Sequence, residues 1–512
     1  MGLFILLYTV LGVFSSIFFF IYWKFIHQQK RIYNILRSQG VPCEPFVPIV
    51  GQLPNMRRAS EKGTAMNYRM ELVRKHGYFY GICIGPTIYL VVLEPDMIAD
   101  IFGPSHVQDY LKLLNIDKIY KPLIGVHNLL VSEGTEHERA RKMLNPAFHF
   151  VKLQSMISIM VDKTSKGINE LLLLSTEQQF IDLQTELNAL TLTIVASSAF
   201  GKGFETTANA KQIVCRAVTE LLEVVEYRSV RLIDQIPIVS KLPFWRKDIL
   251  DKDSREISDF VDQIIADRRY NRSTSLSSSE DFLDLLLSAI DTEGQPFNDK
   301  EIKDQALTFI LAGHETTGNL MTWATYVLMT HEHVLQACRD EVDRVLPNGI
   351  EPTHEHLSEL IICEAVLKET LRLYPPAPFM ARRCIREHYI GSEGHRQIRI
   401  PVGGVVSINT YILHRREEFW PRPLEFDYTR WMRDPVTGLK PKLAHPFCYL
   451  PFGSGPRNCI GEKFALLEAK IILAMLVQRC NFELEPGQKI LPDVFITMRS
   501  KYGLKARITK RL

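Results

Sequence analysis

Several familiar foundations for chemistry are missing from this chain. Its 512 residues include nine cysteines, at positions 43, 83, 215, 338, 363, 384, 448, 459 and 480. They are scattered and odd in number, with no Cys-x-x-Cys pair and no zinc spacing, so they imply no disulfide framework. A reducing compartment is the natural setting. The formal net charge of +3 is too small to argue for a nucleic-acid partner. A Gly-x-Ser-x-Gly nucleophile elbow is absent. His314-Glu315, His331-Glu332 and His354-Glu355 each begin a zinc-protease motif, but none has the second histidine four residues on. Gly453 to Asn458 is half a dinucleotide fingerprint, lacking the third glycine and a preceding strand. No internal repeat is visible.

What is present begins at the N-terminus. Leu3 to Trp23 carries no charge, and as a helix it would span about 30 Å, the hydrocarbon thickness of a bilayer. Lys24, Lys30, Arg31 and Arg37 follow it, so the positive-inside rule puts the rest of the chain in the cytosol. A cleaved signal peptide would want a charged start and a small-residue cleavage site, and neither stands out. The sequon Asn271-Arg272-Ser273 would then go unused. The domain reading is a transmembrane anchor over 1–28, a basic and Pro-rich linker over 29–50, stiffened by Pro42, Pro45 and Pro48, and one catalytic domain over 51–512. Composition, 46% hydrophobic and 23% charged, is that of an ordinary globular protein. Strands are expected from Tyr80 to Leu93 and from about Cys384 to Ser407. Helical periods dominate Arg139 to Ala266 and Asn298 to Tyr374, giving a mainly α chain with a small β-rich region.

Three stretches carry chemistry. The first is Phe452-Gly453-Ser454-Gly455-Pro456-Arg457-Asn458-Cys459-Ile460-Gly461. One cysteine is bracketed by glycines, which let the backbone approach a flat cofactor. Arg457 precedes it and a helix from Glu462 to Val477 follows. Both should lower the thiol pKa and make the anion its resting form, which suits a thiolate metal ligand. The second is Leu311 to Gly318, inside a helix that Asn298 and Glu301 should start as a capping box and that could run to Thr330. Two glycines, a carboxylate and two threonines in an apolar helix are a local conflict of the kind that marks a site. A threonine bonding back to the preceding turn could open a groove there, and Glu315 could pass protons into it. A helix bend with solvent-facing polar groups is the equal alternative. The third is Glu369 and Arg372, three apart on one helix face, with Tyr374-Pro375-Pro376 ending that helix.

Together these residues resemble the cytochrome P-450 superfamily of haem-thiolate monooxygenases, and the match covers nearly the whole chain. Phe452 to Gly461 is similar to the family's haem-binding loop in full. Glu369 to Arg372 matches its Glu-x-x-Arg helix, with Arg430 in the place of the third member of that network. Ala312 to Thr317 matches the oxygen-activating helix segment. The resemblance implies a cytochrome P-450 fold, mainly α with a small β-rich region, behind a single N-terminal transmembrane helix. It implies haem b (heme, iron protoporphyrin IX) ligated by Cys459 and lined by Phe452, Gly453, Gly461 and Ala312. Arg457, Arg382 and Arg141 would meet the propionates, with Arg383 the fallback for Arg382. Glu315 and Thr316 would deliver protons to bound dioxygen. His137 stands where the family usually has tryptophan, and imidazole could still donate a hydrogen bond. Tyr428-Thr429 stands where Pro-Glu is common. Asn145 to His149 resembles fatty-acid ω-hydroxylases, but Ala312 replaces the glutamate that esterifies the haem in many of those. A covalent haem link is therefore not expected, and the ω-hydroxylase assignment is weakened.

The implied function is insertion of one atom of dioxygen into an apolar, membrane-soluble substrate: a lipid, fatty acid, steroid, terpenoid or xenobiotic. Phe309, Ala377, Phe379 and Ile496 are candidate substrate contacts, each equally a core position. Electrons would come from NADPH through a membrane-bound reductase, with cytochrome b5 a second donor, and Arg139, Lys142 and Lys463 part of the docking face. The implied location is the endoplasmic reticulum membrane, single-pass, with the catalytic domain cytosolic. The rivals are a haem-thiolate isomerase or dehydratase that needs no oxygen, against which Glu315-Thr316 argues, and a haem sensor or electron carrier without turnover.

Overall fold

The computed structural model describes residues 2–113, 116–201, 204, 210–230, 240–274, 281–391, 396–494 and 497–511. The chain forms two units. One comprises Met1–Leu113, Pro378–Pro421 and Leu443–Asn458, and the other Leu114–Ala377, Arg422–Lys442 and Cys459–Leu512. Residues 51–512 contribute to both units.

The first unit is built on a five-stranded sheet in the spatial order Phe79–Ile84, Thr87–Val92, Val405–Asn409, Phe379–Cys384 and Tyr110–Lys112. The first two strands form a hairpin paired from Phe79↔Val92 to Ile84↔Thr87. Its turn is Gly85, at φ +60°, followed by Pro86. A positive φ and then proline's fixed negative φ are what a type II′ turn requires. The Thr87–Val92 and Val405–Asn409 strands are parallel and the other pairs antiparallel. Ile82, Leu90, Val92, Ile98, Ile101, Val406 and Ile408 are buried together as this unit's core. The N-terminal segment Phe4–Ser38 is long and apolar enough to cross a membrane, with a mean hydropathy of 2.4 over its best window. Helix Gln28–Ser38 takes in the first part of the expected 29–50 linker. It is helical because Ile32, Tyr33 and Leu36 recur at helical spacing and are buried in the core of the unit.

The second unit is helical around Asp299–Thr330. The capping box is present: Glu301 N–H donates to Asn298 Oδ1 at 3.0 Å, and Asn298 N–H donates to Glu301 Oε2 at 2.8 Å. Its neighbours include helices Leu183–Phe200, Ile361–Leu373 and Glu462–Arg479. The glycines of the long helix have a packing cause that the sequence concealed. A Cβ on Gly313 would lie 3.1 Å from Val195 Cγ2, and one on Gly318 would lie 2.9 Å from Asn188 Cα. Both let the 183–200 helix come close. The small sheets are Ile181–Asp182, Lys505–Lys510 and Cys480–Leu484, and the hairpin Pro492–Val494 with Met498–Ser500.

Candidate active site

Glu369 and Arg372 are fully buried. Arg372 donates from Nε to Glu369 Oε2 at 2.9 Å and from Nη2 to Oε1 at 2.7 Å, a bidentate pair. Its remaining donors reach Pro423 O at 2.7 Å and Glu425 O at 2.9 Å. Arg430 Nε donates to Glu369 Oε1 at 3.3 Å, so the third member expected from the sequence is in place. Two further donors went unseen there: Trp431 Nε1–H at 2.9 Å and the Asp427 N–H at 3.0 Å. One carboxylate thus faces two guanidiniums, and the further guanidinium donors are taken up by backbone carbonyls, so the buried Glu369-Arg372 pair is both neutralised and hydrogen-bonded, the condition for an ion pair to survive away from water.

In the first unit, Gly453 and Gly455 both sit at φ +72°. That backbone favours glycine at both, and at Gly455 a Cβ would also lie 2.7 Å from Phe102 O. Phe452 and Arg457 are half-buried. Arg382 Nη1 donates to Ala381 O at 2.9 Å, and its guanidinium lies 5.3 Å from the Phe102 ring centroid. Arg382 and Arg383 are successive strand residues and point to opposite faces. Only one of them can serve a given site.

In the second unit, Cys459 precedes helix Glu462–Arg479, whose N-cap is Gly461. Cys459 is exposed. Surrounding protein still desolvates its thiol and pushes its pKa up. The Gly461 N–H pulls it down, Glu462 pushes it further up, and Arg141 pulls it down. This corrects the sequence expectation: the protein alone does not make the anion the resting form, because desolvation and Glu462 outweigh the helix terminus and the cation. A metal bound to the sulfur would remove the proton outright. Arg141, in helix Gly134–Leu144, donates from Nε to Asn145 Oδ1 at 3.0 Å. His137, on the same helix, is buried.

The long helix is buried along most of its length but accessible in the middle, where Ala312 is exposed and Glu315 and Thr316 are half-buried. Thr316 donates to Ala312 O at 2.8 Å, the back-bond expected for a threonine here. The carbonyl of His314 accepts from Thr191 at 2.9 Å. The Glu315 carboxyl accepts from the Thr497 hydroxyl at 2.8 Å, and Thr497 accepts from Asn319 Nδ2 at 3.1 Å. Desolvation pushes the Glu315 pKa up, opposed by Thr497 and by the Arg499 charge. Burial pushes His314 down to about 4, so it is a neutral core histidine at pH 7. Thr497 and Asn319 were missed because they are far from Glu315 in sequence and no short spacing links them.

The expected substrate contacts fare unevenly. Phe309 is stacked on Phe282 at 4.4 Å and packed against Phe148 and Phe464 at 5.7 and 5.6 Å. Its ring is thus part of an aromatic cluster, while the residue is only half-buried. Phe379 lies under the Arg69 guanidinium at 4.1 Å. Ala377 is exposed, and Ile496 lies outside the described residues. Arg139 was expected to be a docking cation. It donates instead to Asp291 at 2.6 Å and Glu301 at 2.8 Å, so its charge is already matched. A further polar cluster joins His106, Asp109 and His388. Both ring nitrogens of His388 already have partners, Tyr110 Oη at 2.9 Å and Arg386 O at 2.8 Å, and His106 is bonded to Asp109 at 3.0 Å.

A mostly helical fold with small sheets, a glycine-bounded cysteine ahead of a buried helix, and a buried Glu-Arg-Arg cluster together define a haem-thiolate enzyme. The chain belongs to the cytochrome P450 family, whose family model matches residues 41–505. It is 28% identical over 489 residues to cytochrome P450 3A12 of Canis lupus familiaris, covering 92% of this chain and 89% of that protein. It is 28% identical over 502 residues to cytochrome P450 4A6 of Oryctolagus cuniculus, covering 95% of this chain and 92% of that protein. A chloroplastic relative, cytochrome P450 97B2 of Glycine max, is 29% identical over 476 residues, covering 85% of this chain and 81% of that protein. The chain is accordingly an oxidoreductase of the monooxygenase class, with non-covalent haem b held by a cysteine thiolate as its cofactor. The Cys459 thiol, which accepts from the Gly461 N–H just ahead of helix Glu462–Arg479, fits such a group.

Proposed function

We propose that this chain inserts one atom of dioxygen into an apolar, membrane-soluble substrate, using electrons passed from NADPH by a membrane-bound flavoprotein reductase. Cys459 is the thiolate ligand, and Arg457, Arg382 and Arg141 neutralise the propionates, with His137 as an added donor. Phe452, Gly453, Gly461 and Ala312 line the cofactor. When bound, the haem supplies the dioxygen-activating chemistry. The rest of the task falls to the long helix. Glu315 holds a proton in a desolvated setting, and Thr316 presents a hydroxyl one residue on. Ala312, one turn before Thr316, leaves space on the same face. The buried Glu369-Arg372-Arg430 cluster fixes helix Ile361–Leu373 to the Arg422–Trp431 segment. The apolar anchor over residues 1–28 holds the chain in the endoplasmic reticulum membrane with the rest in the cytosol, and so gives access to lipid-dissolved substrates.

The observation that carries this reading is the accessible, desolvated Glu315-Thr316 pair in an otherwise buried helix. An isomerase or an electron carrier has no use for it. With a substrate selected by its haem spin-state shift and a reconstituted reductase, Thr316→Ala should release more hydrogen peroxide per NADPH consumed than the wild type. An unchanged ratio would remove proton delivery from Thr316.

A further inference from the structure

Glu315 does not stand alone. Its carboxyl accepts the only hydrogen of the Thr497 hydroxyl, at 2.8 Å. Having spent that hydrogen, Thr497 must accept the bond it makes with Asn319, and the Asn319 amide donates at 3.1 Å. The chain of donors therefore has one direction, from Asn319 through Thr497 to Glu315. Asn319 sits one turn beyond Glu315 on the same face of the same helix. It is fully buried, and its Oδ1 has no partner among the described residues.

Thr497 is also held from behind. The Met498 N–H donates to Pro376 O at 2.8 Å, and Trp323 Nε1–H donates to Met498 O at 3.3 Å. The Ser500 N–H donates to Gln184 Oε1 at 2.8 Å. The hydroxyl is thus presented from a fixed backbone, the condition for a side chain that must orient another. The charged and titratable groups facing Glu315 from other elements are Arg499, beside Thr497, and Tyr120, on helix Ile116–Ile124.

We infer that Thr497 and Asn319 are positioning residues that hold the Glu315 carboxyl in one orientation beside Thr316. This makes a strand-turn residue far along the chain part of the proton-delivery apparatus. The inference rests on the proposed role of Glu315, and its test separates the two.

In the purified holoenzyme, the carboxyl stretching band of Glu315 is identified by infrared difference against Glu315→Gln. Thr497→Val and Thr497→Ala should move that band to higher wavenumber, because the carboxyl loses an accepted hydrogen bond. They should also raise the pH at which it titrates, since Thr497 opposes the desolvation of Glu315. Thr497→Ser, which keeps the hydroxyl, should leave both at the wild-type position. A native reduced carbon monoxide spectrum in each variant confirms an intact site. A band and titration in Thr497→Val and Thr497→Ala that match wild type would overturn the inference, as would a shift equally large in Thr497→Ser. The role of Glu315 itself is read separately, from NADPH oxidation by Glu315→Gln with a flavoprotein reductase. If that rate and its peroxide yield match wild type, the functional reading of Glu315 fails whatever Thr497 does.

Discussion

Glu468 is a carboxylic acid with no water to ionise into. It lies fully buried in helix Glu462–Arg479, and neither of its oxygens has a hydrogen-bond partner among the described residues. Thr317 is near enough to favour the anion slightly but not in bonding geometry, so desolvation wins and pushes the pKa well above the ordinary value. The folded state therefore binds a proton that the unfolded chain releases at ordinary carboxylate pH. The stability tied to this proton is present below the unfolded pKa and lost as pH rises toward the folded one. Glu468→Gln keeps the neutral shape and removes the dependence. The gap in Tm between variant and wild type should widen in the variant's favour from pH 5 to pH 7. A gap that stays constant would show that Glu468 is ionised or solvated in the folded protein. Glu315, the acid proposed to hold a proton for the reaction, was legible from its placement between apolar turns. Glu468 was not, since nothing in Leu467-Glu468-Ala469 distinguishes a buried glutamate from a surface one.

At the scale of the element, the long helix was legible from both ends inward. Asn298 and Glu301 announce its start, and Asp299–Thr330 is what forms. Gly313 and Gly318 seemed to be the cost of a functional distortion. They are contact points, where the 183–200 helix approaches too closely for a side chain. A hydrophobic pattern reports which face is buried, not how near the neighbour comes. Gly318→Ala should gain up to about 1 kcal/mol of helix propensity. It should lose more than that, about 1–3 kcal/mol net, because its Cβ would meet the Asn188 backbone at 2.9 Å, where no rotamer change relieves it. Urea or thermal unfolding of the holoprotein measures this, and a variant as stable as wild type would show that the two helices can part freely. The Glu369-Arg372 pair was likewise visible in sequence, but Trp431 and the Asp427 N–H, which complete its hydrogen bonds, come from a distant coil segment with no periodicity to mark it.

For the whole molecule, the sequence showed most where the chemistry is local. The loop ending in Cys459 and the apolar N-terminus each sit within one short run. It showed least where partners converge from distant segments. Arg139 reads as a free cation in Glu138-Arg139-Ala140, yet Asp291 and Glu301 claim it. Of the three cations expected to receive a reductase, Lys142 and Lys463 are exposed, with no ion pair of this kind among the described residues. The thiol follows the same logic. Its own surroundings favour the neutral form, so its anionic state belongs to the holoenzyme and not to the polypeptide.

That dependence makes the central claim directly measurable. The purified protein, reduced under carbon monoxide, should show the red-shifted Soret band of a thiolate-ligated haem. Cys459→Ser should lose that band and no other cysteine substitution should. A wild-type protein without the shifted band, or a Cys459→Ser variant that keeps it, would contradict the account.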